Sequence, residues 1–250
     1  MPDNMRRAFE GFCLLCCTMG EQIPLGFVMG FFVDLIVARW WEQFVAIPWP
    51  DELVMLLAAY THGNSKRLRH QLKTFVRYIN LSFCLATRGM SSRMRRRFPT
   101  KQQLLASTLI TQEELKVLYE SAPYNKPPFY PLPLFWAAEL LTQMHEEGSI
   151  VGVQVIETIT TELQKFRRGL EQLLIYNWIN TPLAYTQVAT VTVHSYFISS
   201  IFAWQFLDTN QNYANHSIDM YVPVFGMLRF LFYMGWLKVS SLRKHTLILN

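Results

Sequence analysis

The sequence predicts an all-α fold: a multi-pass α-helical membrane protein with a helical cytosolic region between its spans. Only 16% of its 250 residues are charged, whereas soluble domains contain about 25%. Residues 172–207 contain no Asp, Glu, Lys or Arg, and a helix needs only about 20 apolar residues to cross the hydrocarbon core. Basic residues are concentrated instead at 53–112. This composition excludes a disordered chain, and four cysteines are too few for a disulfide-based scaffold.

Three apolar segments are expected to span the membrane within a single domain of residues 1–250. Their approximate bounds are 11–40, 172–207 and 220–239. The first carries only Glu21 in its apolar part, and Gly20 and Pro24 predict a break within it. The third carries a single charge, Arg229, in its first 18 residues. The alternative is a soluble all-α protein that buries these stretches, but only the middle of the chain offers amphipathic helices to cover them.

The region between the first two spans, about 41–171, is predicted to be cytosolic, helical and basic. Residues 53–112 contain eleven Lys and Arg and no acidic residue. Such a run is compatible with nucleic-acid binding, but next to apolar spans the positive-inside rule explains it better. We therefore expect no nucleic-acid partner, and contact with anionic membrane lipids. Six apolar residues at helical spacing predict one buried helix face: Ile156, Ile159, Leu163, Phe166, Leu170 and Leu173.

This topology places the loop 208–219 on the outer side of the membrane, which we take to be the plasma membrane. The loop contains Asn215-His216-Ser217, an acceptor pattern for N-glycosylation that also occurs often by chance. His194 lies inside the uncharged span. An ionisable group at such a position is either functional or a neutral ring that is hydrogen-bonded to a helix carbonyl.

The sequence contains no convincing catalytic or metal-binding constellation, so we do not expect an enzyme. Its six histidines form no HExxH or other metal-binding spacing, and no GxSxG, P-loop or GxGxxG motif is present. Cys13, Cys16 and Cys17 lie together in an apolar segment without a second cysteine pair or a histidine nearby. That setting favours free thiols over metal ligands.

The segment 23–31 is the most informative part of the sequence. Its three large apolar residues recur every fourth position and share one stripe of a helix: Ile23, Phe27 and Phe31. Gly26 and Gly30 form a second stripe where another backbone could approach, and Pro24 fits the first turn of a helix. Phenyl rings have positive edges, so rings facing a central axis could stabilise a partly dehydrated anion near the positive end of the helix dipole. Periodicity alone favours ordinary helix packing.

The stretch IPLGFVMGFFVDLIVARWWEQF, followed by IPWPDEL, strongly resembles the bestrophins, a family of anion channels. The resemblance continues through RYINLSFCLATRGMSSRMRRRFPT, YNWINTPLAYTQVATVTV and DMYVPVFGMLRFLFYMGWLKV, and covers roughly residues 9–239. It implies a pentamer around an axial pore that conducts chloride and other monovalent anions, usually under calcium control. It also implies that Ile23, Phe27 and Phe31 line the pore neck. Gln154 would stand at a second constriction, where the family has an apolar residue.

The sequence departs from the family pattern at both ends. Bestrophins have a further span before the matched region, and after GWLKV they have an acidic cluster that binds calcium, where this sequence reads SSLRKHTLILN. We therefore expect no calcium site here and interpret the chain as a shortened member. Two hypotheses follow. The chain is a subunit of a passive chloride channel, as a homo-oligomer or together with full-length relatives, or it is a non-conducting isoform that acts as an assembly partner or dominant-negative subunit.

Overall fold

The computed structural model describes residues 3–121, 129–208, 213 and 224–242, with side chains up to 238 in the last of these segments. These residues form eleven α-helices: α1 (Asp3–Gln22), α2 (Leu25–Val45), α3 (Pro50–Tyr60), α4 (Lys66–Met90), α5 (Ser92–Arg97), α6 (Lys101–Ala106), α7 (Gln112–Glu120), α8 (Leu132–Glu146), α9 (Val153–Trp178), α10 (Leu183–Ala203) and α11 (Val224–Leu242). Thr61 and Ile150 form an isolated antiparallel bridge. The predicted all-α fold is confirmed.

The chain divides into two compact units. The first contains Met1–Trp40 and Thr181–His245, and the second contains Trp41–Asn180 and Thr246–Asn250. These units are compact parts within the chain, and the single domain over 1–250 stays a prediction. The main part of the second unit has nearly the same bounds as the predicted cytosolic region, 41–171.

The break between α1 and α2 lies at Ile23 and Pro24. Proline has no N–H with which to continue α1, and it disfavours helical backbone in the residue before it. The carbonyl of Pro24 accepts a hydrogen bond from the N–H of Val28 at 3.0 Å, so α2 starts directly after the proline. The break predicted near Gly20 and Pro24 therefore occurs at Pro24, while Gly20 remains inside α1.

The uncharged segment 172–207, predicted to hold one spanning helix, contains the end of one helix and the whole of another. Its first residues belong to α9, which ends at Trp178, and α10 begins only at Leu183. Pro182 directly precedes α10 and could not continue a helix from α9. The absence of charge concealed this break. The predicted face of α9 is nevertheless confirmed, since its residues from position 159 onward are buried: Ile159, Leu163, Phe166, Leu170 and Leu173.

Among the described residues, one helical stretch, Asp3–Tyr60, is long and apolar enough to cross a membrane. It contains α1, α2 and α3 and includes the first predicted span. The second and third predicted spans overlap α10 and α11, which do not meet the same criterion. Ser and Thr recur along α10, and α11 carries Arg229 and Lys238, so both helices are less apolar than their low charge suggests.

The first unit is built on the packing of α1 against α10. The rings of Phe12 and Phe202 meet edge to face, with centroids 5.2 Å apart. Near the start of α1, the guanidinium of Arg6 lies 3.4 Å from the carboxylate of Glu10 and 3.2 Å from that of Asp208. These ion pairs hold the beginning of α1 beside the segment that follows α10.

The second unit has a core formed mainly by α3, α4, α8 and α9. Its largest fully buried side chains include Phe75 and Ile79 from α4, Leu141 from α8 and Leu170 from α9. Several of its helices begin at a Ser or Thr whose hydroxyl accepts a backbone hydrogen bond, which satisfies a donor that a helix start would otherwise leave free. These residues are Ser65, Ser91, Thr100 and Thr111.

The basic run 53–112 is largely occupied by contacts inside the second unit. Arg67 pairs with Glu147 and Arg77 with Glu114, so the missing acidic residues come from outside the run. Five further basic side chains contact backbone carbonyls, an amide or aromatic rings: Arg69, Arg88, Arg95, Arg97 and Lys101. Much of this charge therefore stabilises the fold, in addition to any contact with anionic lipid.

Candidate pore-lining site

The helix α2 has two different faces. Leu25, Met29 and Phe32 are buried and form a cluster with Ala189 and Val193 of α10. Met29 is completely buried in this cluster, and side chains of α11 such as Met234 pack against it as well. This face fixes the orientation of α2 within its unit.

Phe27 and Phe31 lie on the other face of α2, where 77% and 58% of their surfaces are exposed. They are four residues apart, so their rings share one stripe. Burying a phenyl side chain is worth about 1.5–3 kcal/mol, and most of that gain is not realised within this chain. Such exposure of neighbouring aromatic residues is typical of a surface that meets a membrane, a partner or a pore.

The third residue of the predicted stripe, Ile23, has a different setting. It lies in the break before α2 and is partly buried against the same cluster as Met29. The carbonyl of Ile23 accepts a hydrogen bond from the N–H of Leu25 at 2.7 Å, which forms a tight turn. The predicted stripe thus consists of two residues on one helix and one residue in the turn that precedes it.

The glycine stripe of α2 has no neighbour among the described residues. A Cβ atom added at Gly26 or Gly30 would have no other side chain or distant backbone within 4 Å. Pro24 is likewise exposed at the amino end of the helix. The close backbone approach that these small residues allow is therefore not used within the subunit, and the beginning of α2 is open on this side.

A cavity of about 430 Å³ lies beside the amino end of α2. Ile23, Pro24 and Phe27 form one side of it, and Arg229 and Tyr196 contribute polar atoms from α11 and α10. The guanidinium of Arg229 donates a hydrogen bond to the hydroxyl of Tyr196 at 2.7 Å. Arg229, the single charge in the third predicted span, thus lines the same cavity as Ile23 and Phe27, a relationship that linear spacing does not reveal.

Sequence reasoning also missed Asp34. It follows Phe27 by seven positions and Phe31 by three, which places it on the same side of α2. Its side chain is exposed, and none of the described residues forms an ion pair with it. The signal was its i+7 spacing from Phe27, just beyond the segment in which the stripe was sought.

The other predicted site residues, Gln154 and Asn215, lie far from α2 along the sequence. Gln154 is an exposed residue in the first turn of α9, and its backbone carbonyl accepts a hydrogen bond from the hydroxyl of Thr158 at 2.7 Å. Two exposed valines, Val151 and Val153, precede it in the chain. Asn215, the possible glycosylation site, lies outside the described residues.

The described ionisable residues of the first unit show no metal-binding arrangement. In the part of the chain that the structure describes, no group of three or more His, Cys, Asp or Glu could hold a metal ion. Cys13 and Cys16 are buried free thiols, and Cys17 is partly buried. Nδ1 of His194 lies 2.7 Å from the carbonyl oxygen of Thr190, which fits a ring that is hydrogen-bonded to a helix carbonyl.

Comparison with known proteins identifies the family. A family model described as "Bestrophin, RFP-TM, chloride channel" matches residues 1–243. This chain belongs to the bestrophin family. Bestrophin-3 of Homo sapiens is 38% identical over 237 residues, covering 94% of this chain and 35% of its own length. Bestrophin-2 of Mus musculus is 38% identical over 242 residues, covering 96% of this chain and 47% of its own length. The chain therefore spans less than half of the length of these relatives.

Solved structures support the same fold. A bacterial bestrophin homologue from Klebsiella pneumoniae aligns with a TM-score of 0.60 at 14% identity, covering 94% of this chain and 76% of that chain. A variant of a solved membrane protein aligns with a TM-score of 0.61 at 15% identity, over 94% of this chain and 76% of that one. As a bestrophin, the chain is a membrane protein, and the region that the family model matches includes all of α2.

Proposed function

We propose that this bestrophin chain is a subunit of an anion channel that conducts chloride passively through an axial pore. Phe27 and Phe31 are its neck residues, and Ile23 stands at the entrance to the neck in the turn before α2. The observation that carries the proposal is the exposure of both phenylalanines on the face of α2 opposite the one that packs on α10. An exposed stripe on one helix becomes a continuous lining when several copies surround an axis.

The chemistry of the stripe fits an anion that passes without binding tightly. The edge of a phenyl ring is positive, so rings turned edge-on to the axis offset part of the hydration that chloride loses. Conduction requires binding that is favourable enough to admit an ion and weak enough to release it. A fixed cation in the neck would hold chloride more strongly than an aromatic edge does.

The proposed assembly is a homo-oligomer, a pentamer by family resemblance, in the plasma membrane. It would use surfaces that the single chain leaves open, namely the glycine stripe of α2 and the exposed apolar residues of α10 and α11. Gln154 would form a second, polar constriction. Glycosylation of Asn215 is a further expectation from its acceptor pattern, and mixed assembly with longer bestrophins is one from the resemblance.

The experiment is anion permeation through purified protein in planar bilayers. We expect Phe27→Ala to widen the neck and change the permeability ratio of iodide to chloride by roughly threefold or more, since losing a ring removes an edge contact worth about 1 kcal/mol. Phe135→Ala is the matched control, because Phe135 on α8 is likewise an exposed phenylalanine, at 58%, and lies outside α2. It should leave the ratio unchanged.

Two results would contradict the proposal. Unchanged ratios in Phe27→Ala would remove the residue from the neck. An absence of chloride current from well-folded, reconstituted protein would favour the alternative of a non-conducting assembly partner. That alternative predicts that co-expression with a longer bestrophin changes the relative's current and that the two chains co-purify.

A further inference from the structure

We propose that Asp34 continues the lining of the pore beyond Phe31 and forms a ring of negative charge that limits chloride entry. This inference rests on the proposed channel function and deepens it, because it assigns a conductance-determining residue to the same helix face. Asp34 carries a negative charge, whereas an anion pathway would be expected to contain neutral or positive side chains.

The geometry of α2 places Asp34 directly in line with the neck residues. At 100° per residue, Asp34 lies about 20° around the helix from Phe27 and about 60° from Phe31. At 1.5 Å per residue, it lies about 4.5 Å further along the axis than Phe31. The packed face is formed by Leu25, Met29 and Phe32, and Asp34 does not belong to that cluster.

The energetics of a charge in this position restrict what its face can contact. Asp34 lies within the helical stretch that is long and apolar enough to span a membrane, and it is exposed. A carboxylate exposed to hydrocarbon is costly, so charged residues within spans face the interior of a bundle or a water-filled path. None of the described residues pairs with Asp34, so water is the available partner. A carboxylate at this position therefore favours a water-facing orientation for the side of α2 that carries Phe27 and Phe31, independently of the aromatic rings.

The consequence for conduction follows from symmetry and Coulomb's law. Each subunit of an oligomer contributes one carboxylate to the same level of the pore, and charges lining a narrow path dominate its local ion concentrations. A negative ring depletes chloride at the end of the neck and attracts cations. Because mobile ions screen such a ring, its influence is large at low salt and small at high salt.

The test is the chloride conductance of reconstituted wild-type and Asp34→Asn protein at two salt concentrations. We expect Asp34→Asn to raise unitary conductance roughly two- to fivefold at about 0.02 M chloride and by much less at about 1 M, where the Debye length is about 3 Å. Asp34→Lys should raise the low-salt conductance further. Glu113→Gln is the charge-matched control, because Glu113 is an exposed carboxylate in the first turn of α7. It should leave conductance unchanged at both concentrations.

The outcomes separate this inference from the proposed function. If Phe27→Ala changes anion selectivity while Asp34→Asn leaves low-salt conductance unaltered, the charge ring is wrong and the channel function stands. If the wild-type protein passes no chloride, the accessibility of position 34 to a water-soluble reagent tests the placement of Asp34. A thiol introduced by Asp34→Cys should react in liposomes with a charged, membrane-impermeant thiosulfonate, mapped by mass spectrometry to that position. Failure to react, while the protein remains folded, would overturn the inference.

Discussion

The carboxylate of Glu114 accepts hydrogen bonds from both terminal nitrogens of Arg77, at 2.5 and 2.7 Å. The same carboxylate accepts a hydrogen bond from the hydroxyl of Tyr78 at 2.9 Å and another from the backbone N–H of Thr111 at 2.9 Å. The bond from Thr111 completes a capping box at the start of α7. Burial alone would raise the pKa of Glu114, but the hydrogen bonds from Arg77, Thr111 and Tyr78 outweigh it and lower the pKa to about 2. Burial, followed by the contact with Glu114, raises the pKa of Tyr78 to about 12.

This cluster predicts an acid-dependent loss of stability. A carboxyl whose pKa is depressed by folding stabilises the native state above its ordinary pKa, and that contribution disappears as pH falls through the folded-state pKa. For Glu114 the window runs from pH 4.5 down to about 2. We expect Glu114→Gln to lower the free energy of unfolding at pH 7 by about 2 kcal/mol, because Arg77 loses its counter-charge in a half-buried site. Thermal unfolding in detergent, followed by circular dichroism from pH 7 to 2, measures both effects.

The matched control for this prediction is Glu113→Gln, which removes one exposed carboxylate from the same helical turn. Its stability should remain within about 0.5 kcal/mol of wild type, and it should keep the wild-type pH dependence. Equal pH dependence in wild type and Glu114→Gln would show that the Arg77 contact does not contribute in this way.

The two faces of α2 predict opposite consequences for substitutions two residues apart. Met29→Ala removes a fully buried side chain from the contact with α10 and should destabilise the protein by about 2–5 kcal/mol. Phe27→Ala removes a larger but exposed side chain and should change the unfolding temperature little, while altering permeation. Differential scanning fluorimetry in detergent compares the two. A larger loss of stability in Phe27→Ala than in Met29→Ala would contradict the assignment of faces.

Any side chain at Gly169 on α9 is predicted to destabilise the protein. A Cβ atom there would lie 2.9 Å from the carbonyl oxygen of Ala46 and 3.1 Å from Cβ of Pro48, and the backbone atom cannot move aside cheaply. We expect Gly169→Ala to cost about 1–3 kcal/mol by overpacking. Gly89→Ala is the control, since its Cβ would meet only Leu174 at 4.0 Å and helix propensity favours alanine. The midpoint of denaturant or heat unfolding should therefore fall in Gly169→Ala and rise in Gly89→Ala.

Cys84 should be an unreactive thiol in the folded protein. It is buried in the second unit, and burial raises its pKa to about 11, so only about one molecule in a thousand is a thiolate at pH 8. Iodoacetamide at pH 8, followed by peptide mass spectrometry, should leave Cys84 unmodified until denaturant is added. Rapid modification of the native protein would show that this part of α4 is open to solvent.

The sequence predicts features that depend on neighbours along the chain, and misses those that depend on distant ones. Spacing and resemblance located Phe27 and Phe31, and the proline predicted the break before α2. The same approach assigned the basic run to charge at the membrane, since the acids that neutralise part of it lie far away. Glu114 is 37 positions from Arg77, and Glu147 is 80 positions from Arg67. Only folding brings these pairs together.

Other differences arose from reading charge alone. Charge alone outlines the uncharged segment 172–207 but not the helix boundary within it, which Pro182 indicates. Asp34 lies just beyond the apolar segment, where a carboxylate looks like the edge of a span. In the structure it belongs to the exposed side of the same helix.

The separation of roles on α2 has an evolutionary consequence. Met29 holds the helix against its neighbour, and Phe27 contributes little to that contact. Substitutions at position 27 can therefore accumulate with little loss of folding stability. In the proposed channel, natural selection can then adjust which ions pass and how fast, while the scaffold is inherited intact. Such a helix would give duplicated genes a route to new permeation properties, one substitution at a time.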